Sequence, residues 1–162
     1  MRNSPLFFTR YILALCLLAP LCSAAQLKRY HFNQVDSLQK IEKRKLLVFI
    51  HTDWCRYCEG MNQTTFKNKE IVDLVNKDFY FVELNAEEKK DILFKGNNFV
   101  YQPTGTSTGL HQLAETLATI QNTISYPTLC FMNDQFDIIL RLTNFVKAKD
   151  LLVIVQQLSV SH

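Results

Sequence analysis

The chain has 162 residues, of which 48% are hydrophobic and 20% are charged, and its formal net charge at pH 7 is +3. That length suits a single domain with a real hydrophobic core. No run of lysine or arginine marks a nucleic-acid-binding stripe, so nucleic acid is not expected as a partner.

The first 25 residues have the organisation of a signal peptide. Arg2 and Arg10 give a basic start, residues 11–21 are apolar, and Ser23-Ala24-Ala25 offers small residues for cleavage. The apolar stretch is shorter than the roughly 20 residues that a membrane-spanning helix needs. We therefore expect export across an inner membrane to the periplasm, with cleavage before Gln26.

The expected mature domain covers residues 26–162. An alternative is lipid attachment at Cys22, which we rank lower because Pro20 and Leu21 suit that processing poorly. Cleavage removes two arginines and lowers the formal charge to +1, and it removes two of the five cysteines. The remaining Cys55, Cys58 and Cys130 are too few for a dense disulfide framework, so the close pair is expected to be a working pair.

Helices and strands alternate through the first half of the mature chain. Apolar residues at helical spacing predict a helix over residues 36–44, capped by Asp36 or Ser37. Residues 45–52 form a predicted buried strand, since the apolar run there does not alternate. A helix follows the cysteine pair, Asn68 caps a second helical piece, and residues 79–84 form the next strand.

Residues 85–127 are longer than a simple crossover and hold a charged cluster, a Gly/Thr/Ser-rich stretch over residues 103–109, and one short helix from Leu110 to Ala118. A hairpin is predicted with its turn at Gly96-Asn97. Beyond this segment, residues 128–132 and 136–142 predict an antiparallel hairpin, and residues 151–158 a final helix. This order of elements predicts a mixed sheet with helices on both faces.

The most informative motif is Trp54-Cys55-Arg56-Tyr57-Cys58, directly after the apolar run of residues 46–50. A helix N-terminus offers unpaired N–H groups and the positive end of the helix dipole, so a thiolate at Cys55 is stabilised there. Cys58 lies one turn later on the same face, where it can resolve a mixed disulfide formed at Cys55. The spacing therefore predicts a redox enzyme.

Residues 45–58, followed later by Ser125-Tyr126-Pro127-Thr128, resemble the thioredoxin superfamily and more closely its exported bacterial members. The resemblance extends over residues 36–158. It implies an α/β thioredoxin-like fold with an insertion before the loop that holds Pro127. It also implies a cis bond between Tyr126 and Pro127, with this loop beside the cysteine pair.

Several residues follow from that resemblance as candidate site residues. Cys55 and Cys58 are the expected catalytic pair, and no metal and no bound organic cofactor is expected. The expected substrate-binding residues are Trp54, Arg56, Tyr57, Tyr126 and Pro127. Expected partners are proteins with thiols or disulfides and a membrane-bound redox partner.

The chain departs from the family pattern near the cysteine pair. Thioredoxins usually carry a buried carboxylate where this chain has Phe49. We expect either that water, Asp53 or Glu59 takes its place or that deprotonation of Cys58 is slower. Arg56 favours the Cys55 thiolate whereas Asp53 and Glu59 oppose it, so charge does not settle the direction of electron flow. The long segment before Pro127 is expected to be an insertion near the active face.

Two other uses of the cysteines stay open at this stage. A zinc site would draw its further ligands from Cys130, His31, His51, His111 and His162, but their spacing fits no common zinc pattern. A copper-handling protein or a non-enzymatic binding module with the same fold is the alternative to an oxidoreductase. His51 is expected to be a satisfied core or edge histidine, and Cys130 a buried apolar residue.

Overall fold

The computed structural model of this protein describes residues 25–160. The predicted signal peptide lies outside the described residues except for Ala25, and His162 lies outside them as well. Among the described residues, no helix is both long and apolar enough to cross a membrane.

A five-stranded mixed sheet forms the centre of the domain. Its strands, in their order across the sheet, are β1 (Arg29–His31), β3 (Phe79–Asn85), β2 (Lys45–His51), β10 (Thr128–Met132) and β11 (Ile138–Thr143). Neighbours among β1, β3 and β2 are parallel, whereas β10 runs antiparallel to both β2 and β11. Every residue from Leu46 to Ile50 in β2 is fully buried, as its unbroken apolar sequence predicted.

Helices cover both faces of the sheet and divide the core into two clusters. One cluster joins α2 (Arg56–Gln63), α3 (Lys69–Asp78) and α5 (Ala148–Val160) to the sheet, and we call this side the α2 face. The other joins α1 (Phe32–Ile41) and α4 (Gln112–Ala118) to the opposite side, the α1 face. Since strand side chains alternate, the odd-numbered residues of β2 belong to the α2 face.

The first helix begins earlier than the sequence predicted, at Phe32 instead of Asp36, and ends at Ile41. The side chain of Gln34 accepts the backbone N–H of His31 at 2.9 Å, so the helix start is capped before Asp36 is reached. Strand β1 was not predicted, because three residues are too few to show a periodic pattern. The prediction at Asn68 is confirmed, since its Oδ1 accepts the N–H of Ile71 at 3.2 Å at the start of α3.

The segment before Pro127 contains three small hairpins as well as α4. The first confirms the predicted hairpin, although its turn is Lys95-Gly96, where both φ angles are positive (52° and 74°). The Gly/Thr/Ser-rich stretch is part of a second hairpin instead of a plain loop. The hairpins pair β4 (Ile92–Phe94) with β5 (Asn97–Phe99), β6 (Tyr101–Pro103) with β7 (Gly109–His111), and β8 (Thr119–Ile120) with β9 (Thr123–Ile124).

Candidate functional site

Cys55 and Cys58 form a disulfide at the start of α2, with an S–S distance of 2.02 Å. Strand β2 ends at His51, and the N–H of Cys55 donates to the carbonyl of Thr52 at 3.2 Å, which turns the chain into the helix. Cys55 is the N-cap residue, and its Sγ accepts the N–H of Cys58 at 3.1 Å. On reduction, the same N–H and the helix dipole stabilise negative charge on the Cys55 sulfur.

Both cysteines are buried in the disulfide form, with 7% of Cys55 and 2% of Cys58 exposed. From its place at the start of a helix we expected Cys55 to be exposed, and in this state that expectation is wrong. Both residues belong to the apolar cluster on the α2 face, together with Phe49, Met61 and Phe66. Cys58 remains the more deeply covered of the two.

The bond between Tyr126 and Pro127 is cis, and Pro127 is buried. Thr128, the next residue, pairs with Ile50 near the end of β2, so this loop lies at the edge of the sheet where β2 leads into the cysteine pair. The Tyr126 ring packs edge-on against Trp54, with 6.1 Å between ring centroids. Burial raises the pKa of the Tyr126 phenol, and the negative charge of Glu87 acts in the same direction.

Exposed aromatic side chains surround the buried disulfide. Trp54 is 66% exposed and Tyr57 is 67% exposed, and Arg56 between the two cysteines is also exposed. Exposed aromatic surface of this kind is typical of binding sites for peptides and proteins. The predicted binding residues thus lie on the rim of the disulfide and in the loop that approaches it.

Comparison with known proteins agrees with this arrangement, since a family model for the thioredoxin-like domain matches residues 32–159. The chain belongs to this family. One similar solved structure is a DsbH oxidoreductase, with 17% identity and a TM-score of 0.58 over 88% of this chain and 92% of that chain. Another is a thioredoxin from Thermus thermophilus, with 17% identity and a TM-score of 0.60 over 83% of this chain and 88% of that chain. A third is a putative disulphide-isomerase from Bacteroides thetaiotaomicron, with 20% identity and a TM-score of 0.58 over 87% of this chain and 99% of that chain. At these identities the structural likeness concerns the fold. No curated protein sequence matches the chain significantly.

This thioredoxin-like domain has the fold and the cysteine pair of a thiol-disulfide oxidoreductase. Phe49 occupies the position where the family pattern has a carboxylate, and its ring packs with the cysteine cluster. The two carboxylates expected to replace it are both exposed. Asp53 accepts a hydrogen bond from Asn85 at 2.9 Å, and Glu59 accepts one from Gln63 at 2.7 Å.

A different carboxylate is the cross-strand neighbour of Phe49. Glu83 in β3 pairs in register with Phe49 and therefore lies on the α2 face of the thioredoxin-like domain. It forms a partly exposed ion pair with Arg29 of β1, and Arg29 also donates to Asn62 of α2 at 3.1 Å. Sequence analysis missed Glu83 because it is far from the cysteine motif along the chain.

Hydrogen bonds join the start of the inserted segment (residues 85–127) to the cysteine loop, the residues just before the cysteine pair. The amide of Asn85 bridges the two by donating to Asp53 and accepting the N–H of Glu87 at 2.9 Å. Glu87 in turn accepts the indole N–H of Trp54 at 3.1 Å. Sequence analysis placed the insertion near the active face but identified neither Asn85 nor Glu87, whose partners lie more than thirty positions away in sequence.

Within the part of the chain that the structure describes, the candidate zinc ligands do not form a metal site with the cysteines. Within residues 25–160, no group of three or more His, Cys, Asp and Glu side chains is arranged to hold a metal ion. Cys130 is a free, fully buried thiol in the cluster on the α1 face, across the sheet from the disulfide. His111 caps α4, where its Nδ1 accepts the N–H of Leu113 at 3.2 Å.

Proposed function

We propose that this thioredoxin-like domain exchanges thiols and disulfides with protein substrates of the cell envelope, with Cys55 as the nucleophile and Cys58 as the resolving thiol. The observation that carries the proposal is the Cys55–Cys58 disulfide at the N-terminus of α2, bordered by exposed aromatic side chains. A redox-active pair needs a stabilised thiolate and a nearby second thiol, and this position supplies both.

In the reducing direction, the Cys55 thiolate attacks one sulfur of a substrate disulfide. The substrate S–S bond breaks, and its second sulfur leaves as a thiolate that takes a proton. Cys58 then loses its proton and attacks Cys55, so the Cys55–Cys58 bond forms and the other substrate sulfur leaves. Two electrons pass from the cysteine pair to the substrate, and the reverse sequence oxidises a substrate dithiol.

The rim residues would bind the chain that carries the reacting substrate sulfur. Trp54, Tyr57 and Tyr126 offer apolar area beside the disulfide, Pro127 shapes the adjoining loop, and Arg56 favours the thiolate at Cys55. Because the disulfide itself is buried, a substrate must approach it closely, beside the contact between Trp54 and Tyr126.

The proposed setting is the periplasm, with the mature chain beginning near Gln26 and a membrane-bound protein as the redox partner. It rests on the signal-peptide pattern of residues 1–25. Intact-mass measurement on protein recovered from the cell envelope tests the cleavage. A mass that retains residues 1–25 would refute this part of the proposal.

Trapping of mixed disulfides tests the roles of the two cysteines. Cys58→Ser removes the resolving thiol, so it should accumulate mixed disulfides with envelope proteins on non-reducing gels, whereas Cys55→Ser should trap few or none. Cys130→Ala is the matched control and should behave as the wild type. Equal trapping by both motif variants would contradict the assigned roles.

Absence of adducts from either variant would favour the alternative, a binding module with a permanent structural disulfide. The reduction potential of the mature protein then gives the direction of electron flow. A value near roughly −270 mV would indicate a reductase, and one near roughly −120 mV a disulfide donor.

A further inference from the structure

An open cleft of about 560 Å³ lies at the ends of strands β1, β2 and β3. The cleft is open to solvent. It differs from the apolar cluster on the α2 face because ionisable side chains form part of its walls. These are His31, His51, Glu83, Glu88 and Lys90.

His51 connects this cleft to the cysteine cluster. It is the last residue of β2, and its ring stacks on Phe49 with 5.3 Å between centroids and 21° between planes. Phe49 in turn belongs to the same buried cluster as Cys55 and Cys58. The imidazole therefore packs on Phe49 of the cysteine cluster and also lines the open cleft.

The backbone of His51 is fixed by hydrogen bonds, whereas its ring is held by the stacking contact with Phe49. Its carbonyl accepts the N–H of Ala86 at 2.7 Å, and the next carbonyl, of Thr52, accepts the N–H of Cys55. Among residues 25–160, no side chain or backbone group makes a hydrogen bond with the imidazole. His51 is thus an edge histidine packed on Phe49, and a ring nitrogen is available to take a proton.

Cys58 needs a base when it resolves a mixed disulfide. Its thiol is almost fully buried among apolar side chains, and such surroundings oppose the charged thiolate that must attack. The carboxylates of Asp53 and Glu59 are exposed and already hydrogen-bonded to Asn85 and Gln63. Imidazole is the side chain that exchanges protons most readily near neutral pH.

We propose that His51 accepts the proton that Cys58 loses during resolution, an inference that rests on the proposed exchange reaction. The neutral imidazole takes the Cys58 proton, and the resulting thiolate attacks the Cys55 sulfur. The Cys55–Cys58 bond forms while the bond between Cys55 and the substrate sulfur breaks. The imidazolium then gives its proton to the departing substrate thiolate or to water in the cleft, and no further oxidant or reductant is needed.

The charges that face His51 include both signs. Glu83 lines the same cleft from β3, where it is ion-paired with Arg29. Glu88 and Lys90 face the cleft from the segment after β3 and oppose each other, His31 faces it from β1, and Asp53 follows His51 along the chain. Replacing His51 alone leaves all of these charges in place.

The resolution step can be measured in isolation with Ellman's reagent. Attack by Cys55 on this reagent releases one thionitrobenzoate and leaves a second bound to Cys55, and resolution by Cys58 releases that second one. Stopped-flow absorbance at several pH values gives both rates for the wild type, His51→Gln and His31→Gln. His31→Gln is the matched control, since it removes another imidazole from the same cleft.

His51→Gln should slow resolution at pH 7 by tenfold or more, since general bases contribute roughly 10²- to 10⁴-fold. It should also change the pH profile of resolution, while attack by Cys55 changes less than twofold. The difference from wild type should shrink at high pH, where Cys58 ionises without help. His51→Ala should regain rate when free imidazole is added, because the cleft is open and large enough to admit it.

An unchanged pH profile in His51→Gln, or an equal loss in His31→Gln, would overturn the inference. If His51→Gln is poorly folded by circular dichroism, the imidazole rescue of His51→Ala decides the question, and absence of rescue counts against the proposal. Trapping by Cys58→Ser is independent of His51. Successful trapping with an unchanged profile would therefore reject this inference alone, whereas failed trapping would reject the exchange reaction itself.

Discussion

The indole Nε1 of Trp54 donates a hydrogen bond to the carboxylate of Glu87 at 3.1 Å, which joins the cysteine loop to the first residues of the inserted segment. The same indole packs against Tyr126, at the other end of that segment. Trp54 is thus held from two directions although most of its surface is exposed. Such support reduces the rotamer freedom that the side chain would lose on binding a substrate.

Loss of the Glu87 carboxylate should loosen Trp54. Because Trp54 is the only tryptophan, fluorescence anisotropy reports on this side chain alone. Glu87→Ala should lower the anisotropy and weaken substrate binding, while the free energy of unfolding falls by less than about 1 kcal/mol because the pair is exposed. Glu87→Gln keeps an acceptor oxygen and should stay close to the wild type; equal effects in both variants would mean that charge, not the hydrogen bond, holds the ring.

The two glycines of the β6–β7 hairpin should differ in their tolerance of alanine. A Cβ at Gly109 would lie 2.6 Å from the backbone oxygen of Gln102 and 2.2 Å from the Tyr101 hydroxyl, so the hairpin must distort. A Cβ at Gly105 would meet only the Thr108 hydroxyl, at 2.8 Å, and that side chain can rotate. Gly109→Ala should cost about 1–3 kcal/mol of unfolding free energy.

Gly105→Ala is the matched control for that substitution and should stay within about 0.5 kcal/mol of wild type. Denaturant unfolding measures both variants, and limited proteolysis shows whether the hairpin opens locally. Equal stability of the two alanine variants would mean that the hairpin does not hold the close backbone approach at Gly109.

The main strands could be predicted because their sequences carry the signal locally. The apolar run of β2 and the aromatic run of β3 are buried on both faces, and Asn68 caps α3 through its own side chain. The β4–β5 hairpin was predicted from its turn residues. In contrast, β1 and the β6–β7 and β8–β9 hairpins have two or three residues per strand, and their pairing depends on neighbours brought together by the fold. Sequence periodicity contains no information on such short strands.

The candidate site likewise contains residues that the sequence identifies and residues that only the fold reveals. Cys55, Cys58 and Pro127 stand in recognisable short motifs, so the sequence identifies them. Glu83 is significant because β3 places it beside Phe49. His51 is significant because it ends β2 at the open cleft. Their position relative to the cysteines depends on strand register, which a single sequence does not reveal.

Cys130 should remain an unreactive thiol in the native protein. It lies on the α1 face opposite the disulfide, is fully buried, and burial raises its pKa to about 12. Since only the thiolate reacts, iodoacetamide should label Cys130 very slowly in the native oxidised protein and rapidly after unfolding in denaturant. Fast native labelling, or a mapped disulfide from Cys130 to either motif cysteine, would contradict this placement.

His111 should make the domain less stable as the pH falls below neutral. The side chain is fully buried, and its Nδ1 must stay unprotonated to accept the N–H of Leu113 at the start of α4. Burial is the largest influence and lowers the pKa of His111 below its usual value, while weaker influences act the other way from the backbone of Lys90 and Phe99 and from the charges of Glu88 and Asp91.

The sign of the effect follows from this lowered pKa. As the pH falls through about 6.5, the unfolded chain binds a proton at His111 that the folded domain still excludes, so the free energy of unfolding decreases. His111→Asn removes the titration but keeps an oxygen able to cap α4. Its unfolding free energy should therefore vary less between pH 7 and 5 than that of the wild type, by up to about 1.4 kcal/mol per pH unit. Denaturant unfolding at each pH measures both proteins, and parallel curves over that range would show that His111 is not kept neutral by its burial.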